Sequence, residues 1–199
     1  MKRALAVAVI VAGLLILIPV LASTLAAASD HFQRDEASAS FVSSAGCVRT
    51  QVDVTALSGN ARHGGNQVQT LSEAHVALTQ FNTCTNATVL EAEGRAPLSG
   101  NDLTVAANLG TAALDVAVPV TDEDSGATFT LQVQVTWSNP RGVSHGSGHV
   151  RVPGGSADIA TNIDGQDFSA TATISRAGIN LSPEPATYAR VSRVRDTGA

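Results

Sequence analysis

The sequence contains almost no lysine. Lys2 is the only lysine among 199 residues, and ten of the eleven arginines lie after residue 28. The rest of the chain therefore cannot supply a Schiff-base lysine, a phosphate-loop lysine or a Lys–Asn isopeptide cross-link. All seventeen acidic residues also lie after residue 28, so this part of the chain has a net charge of −7. Such a charge argues against nucleic-acid binding. We expect Arg190, Arg193 and Arg195 to be solvated charges on an edge strand.

Aromatic side chains are also scarce. The chain has one tryptophan, one tyrosine and five phenylalanines. Sugar-binding sandwiches stack their ligands on exposed aromatic rings, and Trp137 continues the apolar face of its strand, which predicts a place in the core. Only Tyr188 is left as a candidate sugar platform, so carbohydrate binding is not the predicted function.

Cysteine occurs twice, as Cys47 and Cys84. Neither lies in a Cys-x-x-Cys motif, which argues against a redox function. An even number of cysteines in an exported chain is typical of disulfide pairing. We therefore predict a structural disulfide, which in the chain-entropy model stabilises the fold by about 3–4 kcal/mol.

The first residues predict export. Two basic residues, Lys2 and Arg3, precede the uncharged apolar run 4–18, and Ala26–Ala28 offers a cleavage site before Ser29. We interpret residues 1–28 as a signal peptide. The alternative is an uncleaved N-terminal anchor, since the apolar run to Ala22 approaches the ~20 residues that span a bilayer. The expected location is secreted or cell-envelope in a bacterium, with membrane contact only through this segment if it is retained.

Residues 29–40 are polar and aperiodic, which predicts a linker. Beyond them, apolar and polar residues alternate, most clearly over 128–137, where Phe129, Leu131, Val133, Val135 and Trp137 share one face. A period of two is typical of strands with one buried face. About nine or ten such short segments are separated by turn signals, and no helical pattern follows residue 28. We predict a single antiparallel β-sandwich domain over 41–199.

The segment "GVSHG" at 142–146 matches the Gly-x-Ser-x-Gly nucleophile motif. That motif places its serine on a turn between a strand and a helix, whereas the residues after Ser144 predict a further strand. No acidic residue lies between Ser144 and the last histidine, His149. We interpret Ser144 as a loop residue. A secreted serine hydrolase that uses Ser144 with His145 or His149 is the alternative.

Metal binding has weak candidates in this sequence. His145 and His149 would lie about 13 Å apart on an extended strand, too far to share an ion. Two acidic segments are candidate calcium sites, but neither supplies the six to eight oxygen ligands that calcium requires. The calcium candidates are Asp122, Asp124, Asn162, Asp164 and Asp167. Turns also favour Asp and Asn, so we predict no required cofactor.

Taken together, these patterns predict an exported, non-enzymatic binding or structural module with an extracellular or envelope ligand. The alternatives are the serine hydrolase and a calcium-dependent adhesion module. Three segments predicted as loops carry the candidate residues: 121–126, 143–149 and 162–167. A shared binding site would require them to meet at one end of the sandwich.

Overall fold

A computed structural model describes residues 31–63, 66–151, 158–176 and 179–198. Within these ranges the chain forms nine antiparallel strands and no helix, which confirms the predicted all-β fold. None of the described residues builds a helix with the length and apolar character needed to cross a membrane. The predicted signal peptide lies outside the described residues. The strands are β1 (His31–Ala45), β2 (Val48–His63), β3 (Asn66–Asn82), β4 (Ala87–Pro97), β5 (Leu103–Val105), β6 (Ala112–Asp122), β7 (Thr128–Arg151), β8 (Asp158–Arg176) and β9 (Ile179–Gly198).

The strands form one sheet in the order β4-β3-β2-β1-β9-β8-β7-β6-β5. A short additional pairing between β4 and β6 closes this sheet on itself, through Ala92↔Asp122, Glu93↔Thr121 and Gly94↔Val120. The two layers of the sandwich are therefore opposite walls of one sheet, and the inner faces of both walls share one core.

Alternation between buried and exposed side chains fills that core. Every second residue of β6 from Ala112 to Val120 is buried. On β7, Leu131, Val133, Val135 and Trp137 are buried as predicted. The Trp137 indole Nε1 donates a hydrogen bond to the Ser38 carbonyl oxygen at 3.0 Å, which connects β7 to β1. Its single polar atom thus has a partner, and the ring packs as a core residue.

The first strand occupies most of the predicted linker. Residues 31–40 belong to β1, which pairs with β2 on one side and with β9 on the other. The inward side chains here include Ala37 and Ala39, both buried, and the carboxylate of Asp35. Because these inward residues are small or charged, the hydropathy pattern does not show the period of two that the backbone adopts.

The predicted disulfide is present. Cys47 lies in the turn between β1 and β2, and Cys84 lies in the turn between β3 and β4; their sulfur atoms are bonded. The Thr83 amide also donates to the Cys47 carbonyl oxygen at 2.7 Å. Two neighbouring hairpins are thus joined at what we call the disulfide end of the sheet.

At the other end, the long strands continue beyond β4 and β6. Strand β4 finishes at Pro97, opposite Glu73 of β3, and β6 starts at Ala112, opposite Trp137 of β7. The segment 98–111, which contains β5, connects β4 to β6 and buries Leu98 and Leu109 in the core. We call the part of the sheet beyond this segment the polar end.

Closure of the sheet depends on a glycine. A Cβ atom at Gly94 would lie 1.9 Å from the Pro119 carbonyl oxygen and 2.7 Å from the Val120 Cα. These are backbone atoms of β6, so neither can move aside as a flexible side chain would. Only a residue without a side chain allows β4 and β6 to pair here.

We therefore expect Gly94→Ala to lower the free energy of unfolding by at least about 1–3 kcal/mol, the cost of overpacking a close contact. Urea denaturation followed by circular dichroism would measure this loss. The matched control is Glu93→Ala, an exposed neighbour on the same strand, which should change stability by no more than about 0.5 kcal/mol. Equal stability of the two variants would contradict the role of Gly94.

Candidate functional site

The inward-facing residues change from apolar to charged at the polar end. On β9, Ala189 and Val191 are buried apolar residues, and the next inward positions are Arg193 and Arg195. On β8 the corresponding inward residue is Asp164, which lies opposite Arg193 in the β8–β9 pairing. Beyond the core, alternate residues of these strands still face inward, but their side chains are charged and require polar partners.

A buried ion pair marks this boundary. Arg193 lies opposite Asp35 in the β1–β9 register, and its guanidinium contacts both carboxylate oxygens, with Nη2 2.8 Å from Oδ2. Its Nη1 donates to the Ala107 carbonyl oxygen at 2.8 Å, so the ion pair also holds the 98–111 segment. The hydrogen bonds that Arg193 donates to Asp35 raise the pKa of Arg193 above its usual value, although burial acts in the opposite direction.

The expectation of solvated arginines on an edge strand is wrong for Arg193. Strand β9 lies between β1 and β8, so it is not an edge, and only 5% of Arg193 is exposed. The guanidinium is accommodated because each of its three nitrogen atoms has an oxygen partner. Sequence alone could not identify that partner, because Asp35 is 158 residues away along the chain.

Beyond the ion pair lies a cavity of about 330 Å³, lined by His145, Gly146, Ser147, Asp164 and Arg195. The His145 Nδ1 is 2.8 Å from Asp164 Oδ1, and Arg195 Nη1 is 3.5 Å from Asp164 Oδ2. The carboxylate therefore bridges the two groups. Both remain accessible, since 72% of the His145 side chain and 47% of the Arg195 side chain are exposed. The volume is within the range of small-molecule sites.

Ser144 lies on the opposite face of β7. Its hydroxyl donates to the Gly165 carbonyl oxygen at 3.2 Å and accepts a hydrogen bond from Arg190 Nη2 at 2.9 Å. Consecutive side chains of a strand point to opposite faces, so Ser144 and His145 cannot share one site while β7 is intact. The pairing of Ser144 with His145 that the alternative hydrolase function requires is therefore not assembled, and the His149 side chain lies outside the described residues.

Ser144 is in a strand rather than in the predicted loop. The sequence "NPRG" at 139–142 has the composition of a turn, but β7 passes through it with two register shifts, between Ser138 and Arg141 and between Arg141 and Val143. Asn139 and Gly142 adopt φ values of 53° and 65°. A bulge takes up the irregular residues and the pairing resumes beyond it, so local turn signals here do not end the strand.

Two of the three candidate segments meet. Segments 143–149 and 162–167 form adjacent parts of β7 and β8, with His145 opposite Asp164. The third segment, 121–126, forms the turn between β6 and β7. Ser144 lies sixteen positions after Thr128 on β7, which is about 50 Å of extended chain. The acidic turn therefore does not contribute to the cavity.

The carboxylate of Asp122 accepts hydrogen bonds from within this acidic turn and stabilises it. Asp122 Oδ1 accepts a hydrogen bond from the Asp124 amide at 3.0 Å, and Oδ2 accepts one from Ser125 Oγ at 2.7 Å. These bonds lower the pKa of Asp122. The pKa of Glu123 is raised, chiefly because the Glu91 carboxylate repels a second negative charge.

Calcium binding stays a prediction. Within the described ranges, no group of three or more His, Cys, Asp or Glu side chains is placed to hold a metal ion. Asp164 contacts His145 and Arg195, and Asp167 lies 3.8 Å from Arg190. The side chain of the remaining candidate, Asn162, lies outside the described residues.

Three residues of the cavity, Gly146, Ser147 and Arg195, are not among the site residues predicted from the sequence. The spacing of Arg193 and Arg195, two positions apart on a predicted strand, indicates that both share a face. It does not indicate which face, because that depends on the strands beside β9.

No known family model matches the chain, and no curated protein matches it either. A solved structure from Nitrosomonas europaea, titled a "putative AttH", is similar with a TM-score of 0.39 and 13% sequence identity. The similarity covers 83% of this chain and 51% of that protein, so this chain spans about half the length of the other.

The buried ion pair generates a stability prediction. Asp35→Asn would leave the buried Arg193 guanidinium without its ion-pair partner, and removing one partner of a buried pair costs about 3–5 kcal/mol. Urea denaturation would measure this loss. Asp53→Asn, at an exposed site on the neighbouring strand β2, is the control and should cost no more than about 0.5 kcal/mol. If both variants unfold at the urea concentration of the wild type, Arg193 does not depend on Asp35.

Proposed function

We propose that the protein is an exported, non-enzymatic binding module whose ligand occupies the cavity at the polar end. The observation that carries this proposal is the arrangement of His145, Asp164 and Arg195 around about 330 Å³ of accessible space. These side chains project from the paired strands β7, β8 and β9 rather than from loops. A site built on paired strands holds its groups in a fixed geometry.

Export is supported by the Cys47–Cys84 bond. Both cysteines lie in exposed turns, and disulfides persist in oxidising compartments such as the periplasm or the extracellular space. The signal-like sequence of residues 1–28 points to the same route. We therefore propose a cell-envelope or secreted location.

A non-enzymatic role is supported by the separation of the motif residues. Ser144 bonds to Gly165 and Arg190 on one face of the sheet, whereas His145 bonds to Asp164 on the other. A serine nucleophile requires a base within hydrogen-bonding reach, and the base nearest in sequence points away from Ser144.

Ligand-induced stabilisation would test the proposal. Melting temperatures would be measured with succinate, inorganic phosphate, glucose, spermidine and calcium chloride, which cover the main ligand classes. We expect at least one to raise the melting temperature, because a ligand that binds only the folded state stabilises it.

The test uses two variants that add a phenyl ring. Ser147→Phe would fill the cavity and should abolish the rise in melting temperature, whereas Thr130→Phe, at an exposed position on the outer face of β7, should preserve it. A wild-type melting temperature that none of the five compounds raises, or a rise that persists in Ser147→Phe, would contradict the proposal.

Ester hydrolysis is a second candidate function, favoured by one observation. Ser147 lies two residues after His145 on β7 and lines the same cavity, and the His145–Asp164 hydrogen bond of 2.8 Å is the kind that orients a catalytic base. If hydrolysis occurs, the nucleophile is therefore Ser147 rather than Ser144.

A fluorophosphonate probe separates the two functions. A binding module should not be labelled, because its serines have no activated oxygen. Labelling that disappears in Ser147→Ala and persists in Ser144→Ala would replace the binding function with hydrolysis. Mass spectrometry of the intact protein after incubation with the probe would measure the added mass.

A further inference from the structure

We propose that the ligand of this cavity carries an oxyanion, a carboxylate or a phosphate, which Arg195 binds with the assistance of His145. This inference rests on the proposed binding function and names the class of ligand. It follows from the hydrogen-bond donors and acceptors that the described residues already use.

The described residues engage only part of the N–H donors of Arg195. A guanidinium presents five N–H groups in a planar fork, and among the described residues the one contact of Arg195 is Nη1 to Asp164 at 3.5 Å. Arg193, two residues earlier, differs in that all three of its nitrogen atoms contact oxygen atoms. The two arginines share a face of β9, but only Arg195 is half exposed and only Arg195 can serve a ligand.

Among the described side chains, the carboxylates of the polar end already have partners. Each oxygen of Asp164 contacts one neighbour, His145 or Arg195, and each oxygen of Asp35 contacts Arg193. Among the described residues that line the cavity, the donors left for a ligand are the Arg195 fork, the Ser147 hydroxyl and, when the imidazole is protonated, the second ring nitrogen of His145. A ligand that brings negatively charged acceptors matches this set, and bonds between charged groups are the strongest that such a site offers.

The charges of the described residues around the cavity also favour an anionic ligand. Asp35 neutralises Arg193 in the closed ion pair, which leaves Asp164 to balance Arg195 and, when it is protonated, His145. An anion adds a partner for the exposed guanidinium, whereas a cation would be repelled by it. A neutral sugar would find no Trp, Tyr or Phe ring among the residues that line the cavity.

The orientation of Arg195 is set by its neighbours. Asp164 contacts Arg195 and His145 from adjacent strands, so the carboxylate fixes where both donors point. We infer that Asp164 is a positioning residue of the anion site, because it orients the side chains of Arg195 and His145.

Isothermal titration calorimetry of the wild type and of Arg195→Gln would test the inference, with succinate, inorganic phosphate, glucose and spermidine as separate probes. We expect succinate or phosphate to bind, and the probe that binds identifies the carboxylate or the phosphate as the oxyanion. Arg195→Gln should weaken that binding at least tenfold. The control Arg49→Gln, at an exposed site near the disulfide end, should leave the affinity within twofold of the wild type.

A second variant, Arg195→Lys, keeps the charge but loses the planar fork, so it should fall between the wild type and Arg195→Gln. Oxyanion binding that is unchanged in Arg195→Gln would overturn the inference. Binding of glucose or spermidine without binding of either anion would also overturn it, while the proposed binding function would stand. Absence of binding by all four probes would count against both. The circular dichroism spectrum of each variant verifies that it is folded.

Discussion

Successive side chains of a strand point to opposite faces, and in a closed sheet one of these faces is the interior. Closure here depends on the approach of β4 to β6 at Gly94, where the β6 backbone leaves no space for a Cβ atom. Once the sheet is closed, every second residue of β6 from Ala112 to Val120 and of β7 from Leu131 to Trp137 is buried. Local strand preference alone therefore does not explain the alternating sequence of β7. Its apolar face is buried only because it packs against the opposite wall of the closed sheet.

The same constraint creates the polar end. Strands β1, β7, β8 and β9 extend past the apolar core, and beyond the irregular pairing of β7 and β8 the alternation resumes, so every second residue again faces inward after the residues become charged. Asp35 and Arg193 satisfy each other at the boundary, and Arg193 also bonds to the Ala107 carbonyl oxygen of the connecting segment. The ion pair lies between the apolar core and the cavity lined by His145, Asp164 and Arg195.

Alternation also explains why a familiar motif was a poor guide to the site. The Gly-x-Ser-x-Gly pattern directs attention to Ser144, but a residue in a strand shares its face with the residues two positions away, not with its neighbour. His145 and Ser147 therefore line the cavity, and Ser144 contacts Gly165 and Arg190 on the outside. The acidic turn at Asp122 failed as a site component for a different reason, since it lies at the far end of a very long strand.

The sequence by itself determined the antiparallel all-β fold, the buried face of Thr128–Trp137 and the pairing of its only two cysteines. These properties follow from local periodicity and from a count that allows one disulfide. The tertiary structure decided that β9 is a central strand, that Arg193 is buried, and that His145 and Asp164 meet beside Arg195. Each of these depends on which strands are neighbours and in what register. Register is a long-range property: Asp35 and Arg193 are 158 residues apart, and no pattern within either strand identifies the other.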